Sequence, residues 1–444
     1  MEVNRNGARG LGCRGSAWPA DAVFDRDGLS IGGVAAEDLA AEHGTPVVVY
    51  DADEIRDRCR ELAARFPSAL YAVKAFTARP AIRIAIEEGL GLLVASGGEL
   101  TACLRAGAEP VRIAFHGNNK SDEELELAVG SGVGLVIADD LDELARLDRV
   151  AAAAGAMQAV FVRVTPGVTG GTHRYIETGE ASSKFGMPLG EALAAVRFAE
   201  AADHLRFRGL HAHVGSQLLR AAPLLESLEV LLDLAERCRE VTGRHLEVLD
   251  VGGGFGVTYT DEETLDLAGL ADAVFARLRD GCARRGIEPP EVIVEPGRWV
   301  VANPGVTLYR VGTVKQRDGS AIVAVDGGMS DNIRPALYGA RHSVAPAGPA
   351  RDGAPIRAVI VGKHCESGDV IARDVELPSL PRRGDLLAVA ATGAYCYSMA
   401  SAYNRIGRPA VVAVRDGAVE PWLRREDEDD LDRFEVVLAG DRSR

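Results

Sequence analysis

The sequence predicts an α/β plus all-β protein, a (β/α)8 TIM-like barrel followed by a C-terminal β-rich domain. Between about residues 70 and 298, short runs that are apolar throughout alternate with amphipathic helical stretches. That pattern implies a parallel sheet covered on both faces. Eight such units in succession match a closed barrel better than an open doubly wound sheet. After Arg298 the helical period gives way to β-rich segments, with Asp416-Gly417 as a strong hairpin signal. At 444 residues the chain exceeds one ordinary core, so two domains are expected. We place the barrel at 46–305 and the β domain at 306–444, with an N-terminal segment, 1–45, packing against the β domain.

The predicted barrel strands are 70–74, 91–96, 112–117, 135–139, 159–164, 209–215, 246–253 and 291–297. Helices separate them, for example Ala81–Glu88 and Asp122–Val129. Ser121 is placed to cap the latter, with Glu124 as its capping-box partner. Residues 180–200 and 217–240 supply the longest helical connections. The β domain is read at 306–316, 321–328, 356–363, 385–395 and 410–422, and the charge-dense 424–432 as solvated surface.

Composition narrows the function. A formal charge of −15 argues against nucleic acid and anionic membrane as partners. An anionic substrate therefore needs its own basic pocket. The seven cysteines, at 13, 59, 103, 238, 282, 365 and 396, form no CxxC pair and no metal-ligand spacing with histidines. Scattered and odd in number, they suit reduced thiols in the cytoplasm. Residues 1–20 lack the apolar core of a secretory signal, and no apolar stretch is long enough to span a bilayer.

Active sites of such barrels lie at the C-terminal strand ends. Those ends carry Lys74, Ser96, His116, Asp139, Thr165, His213 with Ser216, Gly252–Gly254, and Glu295 with Gly297 and Arg298. Lys74 closes the apolar run 70–75, so it is expected to be buried, its pKa lowered and its amine nucleophilic toward a carbonyl. The bland alternative is a strand-end lysine reaching solvent. Gly252-Gly253-Gly254 is expected to follow a strand, precede a helix and offer backbone N–H groups to a phosphate. A dinucleotide fingerprint would need glycine where Val257 stands. Glu295 suits a carboxylate that keeps a pyridine nitrogen protonated; a salt bridge with Arg298 is the plain alternative. His213 suits a ring laid flat on an aromatic, although a strand histidine is more often a core residue. His211 is expected one layer deeper, and Asp250 to be structural.

In the β domain, Lys363–Asp369 packs a thiol, Cys365, between His364 and Glu366, where local charge can poise it. An inert buried cysteine is the default. Gly393-Ala394-Tyr395 ends a strand with a phenol able to donate to a phosphate. Tyr397 and Tyr403 are read as core or surface.

These residues lie in ordered motifs: YAVKA (71–75), SGGEL (96–100), FHGNNKS (115–121), HAHVGSQ (211–217), LDVGGGFG (249–256), EPGR (295–298), DNIRPALYGARH (331–342), HCESGD (364–369) and GAYCYSMASAYN (393–404). From about Asp38 to Val414 the chain resembles the diaminopimelate decarboxylases, alanine-racemase-like (fold-type III) enzymes that use pyridoxal 5'-phosphate (PLP). The last two motifs resemble the actinobacterial branch.

The resemblance implies that Lys74 bonds the PLP aldehyde, Glu295 bonds the pyridine nitrogen and His213 stacks on the ring. Ser216, Gly253, Gly254, Gly297, Arg298 and Tyr395 would gather around the phosphate or its approach. Arg298, Arg334, Tyr338 and Tyr395 would contact the substrate, meso-diaminopimelate, and Glu366 its distal amine. Cys365 would come from the partner of a homodimer as proton donor. Phe76 departs from the family, which often has Asn there. The alternatives are a decarboxylase of the same fold acting on ornithine, arginine or carboxynorspermidine, and a non-catalytic PLP-binding homologue.

Overall fold

The computed structural model describes residues 17–168, 184–317 and 319–436. Cys13 and the first part of the expected 180–200 connection lie outside them. The chain divides into two compact units. One takes in 53–258 and 262–302, the other the residues up to Ala52, Tyr259–Asp261 and everything from Asn303.

The first unit is a closed barrel of eight parallel strands. They are β1 (Ser68–Ala72), β2 (Gly91–Val94), β3 (Ile113–Phe115), β4 (Leu135–Ala138), β5 (Gln158–Val164), β6 (Leu205–Ala212), β7 (Val248–Asp250) and β8 (Glu291–Val294). Ala72, Leu93, Ala114, Ile137, Phe161 and Val248, with Leu70 and Ile293 beside them, pack into one inner apolar cluster. Strand side chains alternate, so the residue two further on continues the same face. There the apolar face becomes polar: His116, Asp139, Arg163, Asp250 and Glu295 follow Ala114, Ile137, Phe161, Val248 and Ile293. His211 stands in register with both Arg163 and Asp250. The barrel thus has an apolar floor and a buried polar layer toward its C-terminal end.

Helices cover the outside. Asp122–Ser131 starts on the capping box read from sequence: Ser121 accepts from Glu124 N–H, and Glu124 accepts from Ser121 N–H. Ala222–Thr242 and Leu267–Arg285 are the long ones. Among the described residues no helix is long and apolar enough to cross a membrane.

The second unit is built on a mostly antiparallel sheet whose spine is the long strand Gly305–Arg317. Its first half pairs with Val47–Asp51 and Leu386–Val389, its second half with Ser320–Val325. A register shift between Val311 and Val314 separates the halves. Val47–Asp51 lies inside the segment expected for the barrel, yet it is a strand of this sheet, parallel to Ala410–Arg415. Trp18, Phe24, Leu29, Ile31 and Leu39 share one core with Val306, Leu308 and Val412. Asp416 and Gly417 turn the Ala410–Arg415/Ala418–Leu423 hairpin with positive φ at both.

Candidate active site

β1 ends two residues before Lys74, and the chain turns through a single 3₁₀ turn, Val73–Ala75. The Thr77 hydroxyl donates to Val73 O (2.9 Å) and the Tyr71 hydroxyl to Phe76 O (2.9 Å), which fixes the turn from within. Gly297 presses against it: a Cβ there would lie 2.7 Å from Ala72 O and 3.0 Å from Ala75 Cβ. Lys74 is exposed while Val73, Ala75 and Phe76 are buried. This corrects the expectation of a buried lysine: the strand stops at Ala72, and Lys74 stands in the 3₁₀ turn beyond it. Its charge reaches Glu99, His116 and His213.

The polar layer forms a connected network. The Arg163 guanidinium lies 3.5 Å from Asp139 Oδ1 and 3.4 Å from His116 Nδ1. Gly117 N–H also donates to His116 Nδ1 (2.9 Å), which places the neutral ring's proton on Nε2. That Nε2 lies 3.3 Å from His211 Nε2, and His211 Nε2 lies 3.3 Å from Glu295 Oε1. The side chain that meets the Glu295 carboxylate here is thus the His211 ring, whose protonation burial disfavours and Glu295 favours. Burial opposes Glu295's charge, but His211, His213 and a hydrogen bond with Asp250 hold its carboxyl below the usual range. Burial, followed by the Lys74 charge, pushes His213 down to about 3. Gly253 N–H donates to His213 Nδ1 (3.1 Å).

The glycine run has a packing role that its sequence alone does not show. It does not open a helix; the next one starts at Leu267. Gly252 N–H donates to Asp250 Oδ1 (2.9 Å) and Gly253 N–H to His213, so both donors are already engaged. What requires glycine is close backbone approach. A Cβ would meet Ala212 O at 2.5 Å from Gly252, and would collide with Glu295 O from Gly253 and with Gly215 O from Gly254. The run lets the ends of β6, β7 and β8 converge. Arg298, at the start of a short helix, donates to Ser216 Oγ (2.8 Å).

The structure therefore brings Glu295, His211, His213, Gly252–Gly254, Ser216, Arg298 and the Lys74 turn together on adjoining strand ends. Ser96 has a local duty, capping Gly97–Ala106, and Thr165 donates to Phe185 O (2.7 Å). Two groups escaped the sequence. Arg163 sits on β5 with the parity of Phe161, and a lone charge in AVFVRV was the available signal. Lys120 pairs with Glu143 at 2.6 Å, both fully buried; nothing local in the sequence marks that pair.

In the second unit, Cys365 and Glu366 are exposed on the loop 362–369. Asp369 anchors it, accepting from Met329 N–H through Oδ1 and from His364 N–H and Nδ1 through Oδ2, at 2.7–2.8 Å. Asn404 Oδ1 accepts from Cys365 N–H (3.0 Å). Tyr395 adopts positive φ (60°) in a turn beyond Leu386–Val389. Arg334 opens a short helix, Arg334–Tyr338, and is buried. Its guanidinium lies 5.3 Å from the Tyr259 ring centre and 5.7 Å from that of Tyr338. Asp331 instead takes the Tyr309 hydroxyl and Gly328 N–H, and Asp326 takes the Thr45 hydroxyl and Arg310 N–H. Among the described residues Arg334 has no carboxylate partner, and its Nε has no acceptor.

A parallel barrel that ends in a lysine turn and a buried glutamate suits one cofactor class, and residues 52–302 match the family described as pyridoxal-dependent decarboxylase, pyridoxal binding domain. The chain is a PLP-dependent decarboxylase. Within that class it belongs to the diaminopimelate decarboxylase family. It is 46% identical to the diaminopimelate decarboxylase of Mycobacterium tuberculosis over 441 residues, covering 95% of this chain and 98% of the relative. Its structure is similar to that of the Helicobacter pylori diaminopimelate decarboxylase complexed with L-lysine (TM-score 0.84, 32% identity, 90% of this chain and 98% of that one). It is also similar to the M. jannaschii enzyme in co-complex with L-lysine (TM-score 0.88, 31% identity, 94% and 98%).

Proposed function

We propose that the chain decarboxylates meso-diaminopimelate to L-lysine and CO2, the last step of lysine biosynthesis, in the cytoplasm. The observation that carries the substrate assignment is Arg334, a buried guanidinium with no carboxylate partner among the described residues. An unpaired buried cation is costly, and a second substrate carboxylate would satisfy it through charge-assisted bonds. A mono-acid such as ornithine would leave it unpaired.

The barrel residues fit PLP. Glu295 is a buried carboxyl that His211 and His213 favour in its charged form, the acceptor that a pyridinium N–H requires, and Lys74 is accessible as a nucleophile. Ser216, Gly254, Gly297, Arg298 and Tyr395 are assigned to the phosphate and its approach. When bound, PLP supplies an electron sink for the pair left on Cα as CO2 departs. Lys74 Nζ would hold the cofactor's aldehyde, Glu295 would hold the proton of its ring nitrogen, and His213 would hold the face of its ring. Arg298, Arg334, Tyr338 and Tyr395 hold the substrate, and Glu366 reads its distal amine. Cys365 Sγ delivers the proton that replaces the lost carboxylate.

The proposed assembly is a homodimer in which Cys365 of the partner subunit completes each site. Its support is the family resemblance, together with the exposure of Cys365 and Glu366 on an anchored loop. The test incubates protein and PLP with meso-diaminopimelate, ornithine and arginine, and measures CO2. Release from diaminopimelate well above the others is expected; preferential use of ornithine or arginine overturns the substrate. Borohydride reduction should fix a pyridoxyl group on the Lys74 peptide, and a label at Lys120 or Lys184 instead removes Lys74. Mixing inactive Lys74→Ala and Cys365→Ala proteins should restore part of the activity. A mixture that stays dead after verified subunit exchange ends the shared-site proposal.

A further inference from the structure

Two buried carboxyl groups from adjacent strands meet in the polar layer. Asp250 pairs with Ile293 in the β7/β8 register, and Glu295 follows Ile293 on the same face. Glu295 N–H donates to Gly252 O (3.0 Å), which locks the two strand ends together. Asp250 is fully buried and Glu295 nearly so. The two side chains are in hydrogen-bond contact. Asp250 Oδ1 accepts from Gly252 N–H, while Asp250 Oδ2 has no hydrogen-bond donor among the described residues and Glu295 Oε1 has the His211 ring nitrogen 3.3 Å away. Ionised together they would face lone pair to lone pair in a medium that barely screens them. A single shared proton removes both the repulsion and the unmet acceptor.

We propose that Asp250 stays protonated in the folded protein at neutral pH and donates through Oδ2 to the Glu295 carboxylate. Asp250 is thereby a positioning residue for Glu295.

The proton belongs on Asp250 because it is the deeper group. Beside Glu295 it has Gly252 N–H from its own strand end, Arg163 from β5 and, in register on β6, His211. Burial and the Glu295 charge both disfavour its ionisation. Glu295 has His211 and His213 from β6 beside it, which favour its charged form. The consequence rests on the proposed role of Glu295 toward the PLP ring. A neutral donor at its back fixes the carboxylate's orientation and lowers its appetite for the ring proton.

The test compares the full chain with Asp250→Asn and Asp250→Leu, with and without PLP. Asparagine keeps an acceptor for Gly252 N–H and an N–H for Glu295, as a protonated acid does; leucine keeps neither. Infrared difference spectra at neutral pH should show the carbonyl stretch of a protonated carboxylic acid that disappears in Asp250→Asn. Asp250→Asn should melt close to the wild type and bind PLP with nearly unchanged Kd. Asp250→Leu should bind PLP roughly tenfold more weakly or worse. Absence of the acid band, or an Asp250→Asn protein as impaired as Asp250→Leu, overturns the proposal. The infrared result on PLP-free protein holds whatever the substrate proves to be. Failure of the decarboxylase assignment is therefore distinguishable from failure of this one.

Discussion

The groups assigned to chemistry are set differently in the two units. The barrel buries His116, Asp139, Arg163, His211, Asp250 and Glu295 in one mutually bonded layer. The second unit leaves Cys365 and Glu366 exposed on a loop and holds that loop by backbone contacts to Asp369 and Asn404. A buried layer is rigid because every group in it fixes another, and any one unpaired would be costly. An exposed loop group is free to meet a ligand or a second chain, and its position depends on a few anchors. The half assigned to the cofactor is therefore built in advance. The loop assigned to proton donation is exposed and held only by its anchors, whereas Arg334, assigned to substrate choice, is buried.

The largest expected effect breaks the barrel side. Lys120 and Glu143 are both fully buried, and Lys120 Nζ also donates to Gly117 O and Ile137 O. Burial pushes Lys120 down and Glu143 up, and each offsets the other. Lys120→Met strands a carboxylate and should cost about 3–5 kcal/mol in folding free energy. Lys120→Met/Glu143→Met, which removes both charges, should recover much of that loss. Denaturant midpoints of the two variants decide it. Equal midpoints for the single variant and the wild type would show that the pair is not buried in solution.

A smaller effect sharpens the other side. Arg334→Lys keeps the positive charge but loses the fork that grips a carboxylate in two parallel bonds, and the planar face that lies over Tyr259 and Tyr338. PLP should stay bound, while kcat/KM for diaminopimelate should fall by about 2–5 kcal/mol of transition-state stabilisation, roughly thirtyfold or more. Unchanged kinetics in a well-folded, PLP-loaded variant would remove Arg334 from the substrate site. A drop in Tm without a change in selectivity would make it a strut.

Legibility follows the same divide. The barrel strands were readable because burial on both faces writes continuous apolar runs. Even so, the start of β6 was missed: a register shift between Phe207 and Gly209 breaks its alternation. Val370–Leu377 was lost for a similar reason, since Asp374 takes positive φ (54°) within it. Val47–Asp51 falls within the 46–305 expected for the barrel, yet its partners are Gly305–Arg317 and Ala410–Arg415, and strand pairing at long range leaves no local mark. The site residues were legible as types at strand ends, and their partners were not. No pattern in LDVGGG says that Gly252 and Gly253 donate to Asp250 and His213 rather than to a ligand. Nor does an apolar run ending in lysine reveal that the strand stops at Ala72 and leaves Lys74 exposed in a 3₁₀ turn.

The finest test of the contrast is pH, because one group in each unit should tilt stability in opposite directions. His213 is pushed down to about 3 from 6.5, chiefly by burial. Between those values the unfolded chain binds a proton that the folded protein does not, so this group costs stability as pH falls from about 6.5 toward 3. Asp331, buried in the second unit beside Tyr309, Asp369 and Asp326, is pushed up to about 7 from 3.8, again chiefly by burial. Here the folded protein keeps a proton that the unfolded chain has lost, so stability falls as pH rises from about 3.8 toward 7. His213→Gln should therefore flatten the acid side of the Tm profile, and Asp331→Asn should flatten its decline toward neutrality. Each curve should approach the wild type where the group no longer differs between states: above about pH 7 for His213, below about pH 4 for Asp331. The two slopes partly cancel in the wild type, so the difference curves carry the signal. A His213→Gln curve parallel to the wild type across that window would mean that its ring protonates equally well folded and unfolded. The barrel end would then be wetter than its packing implies.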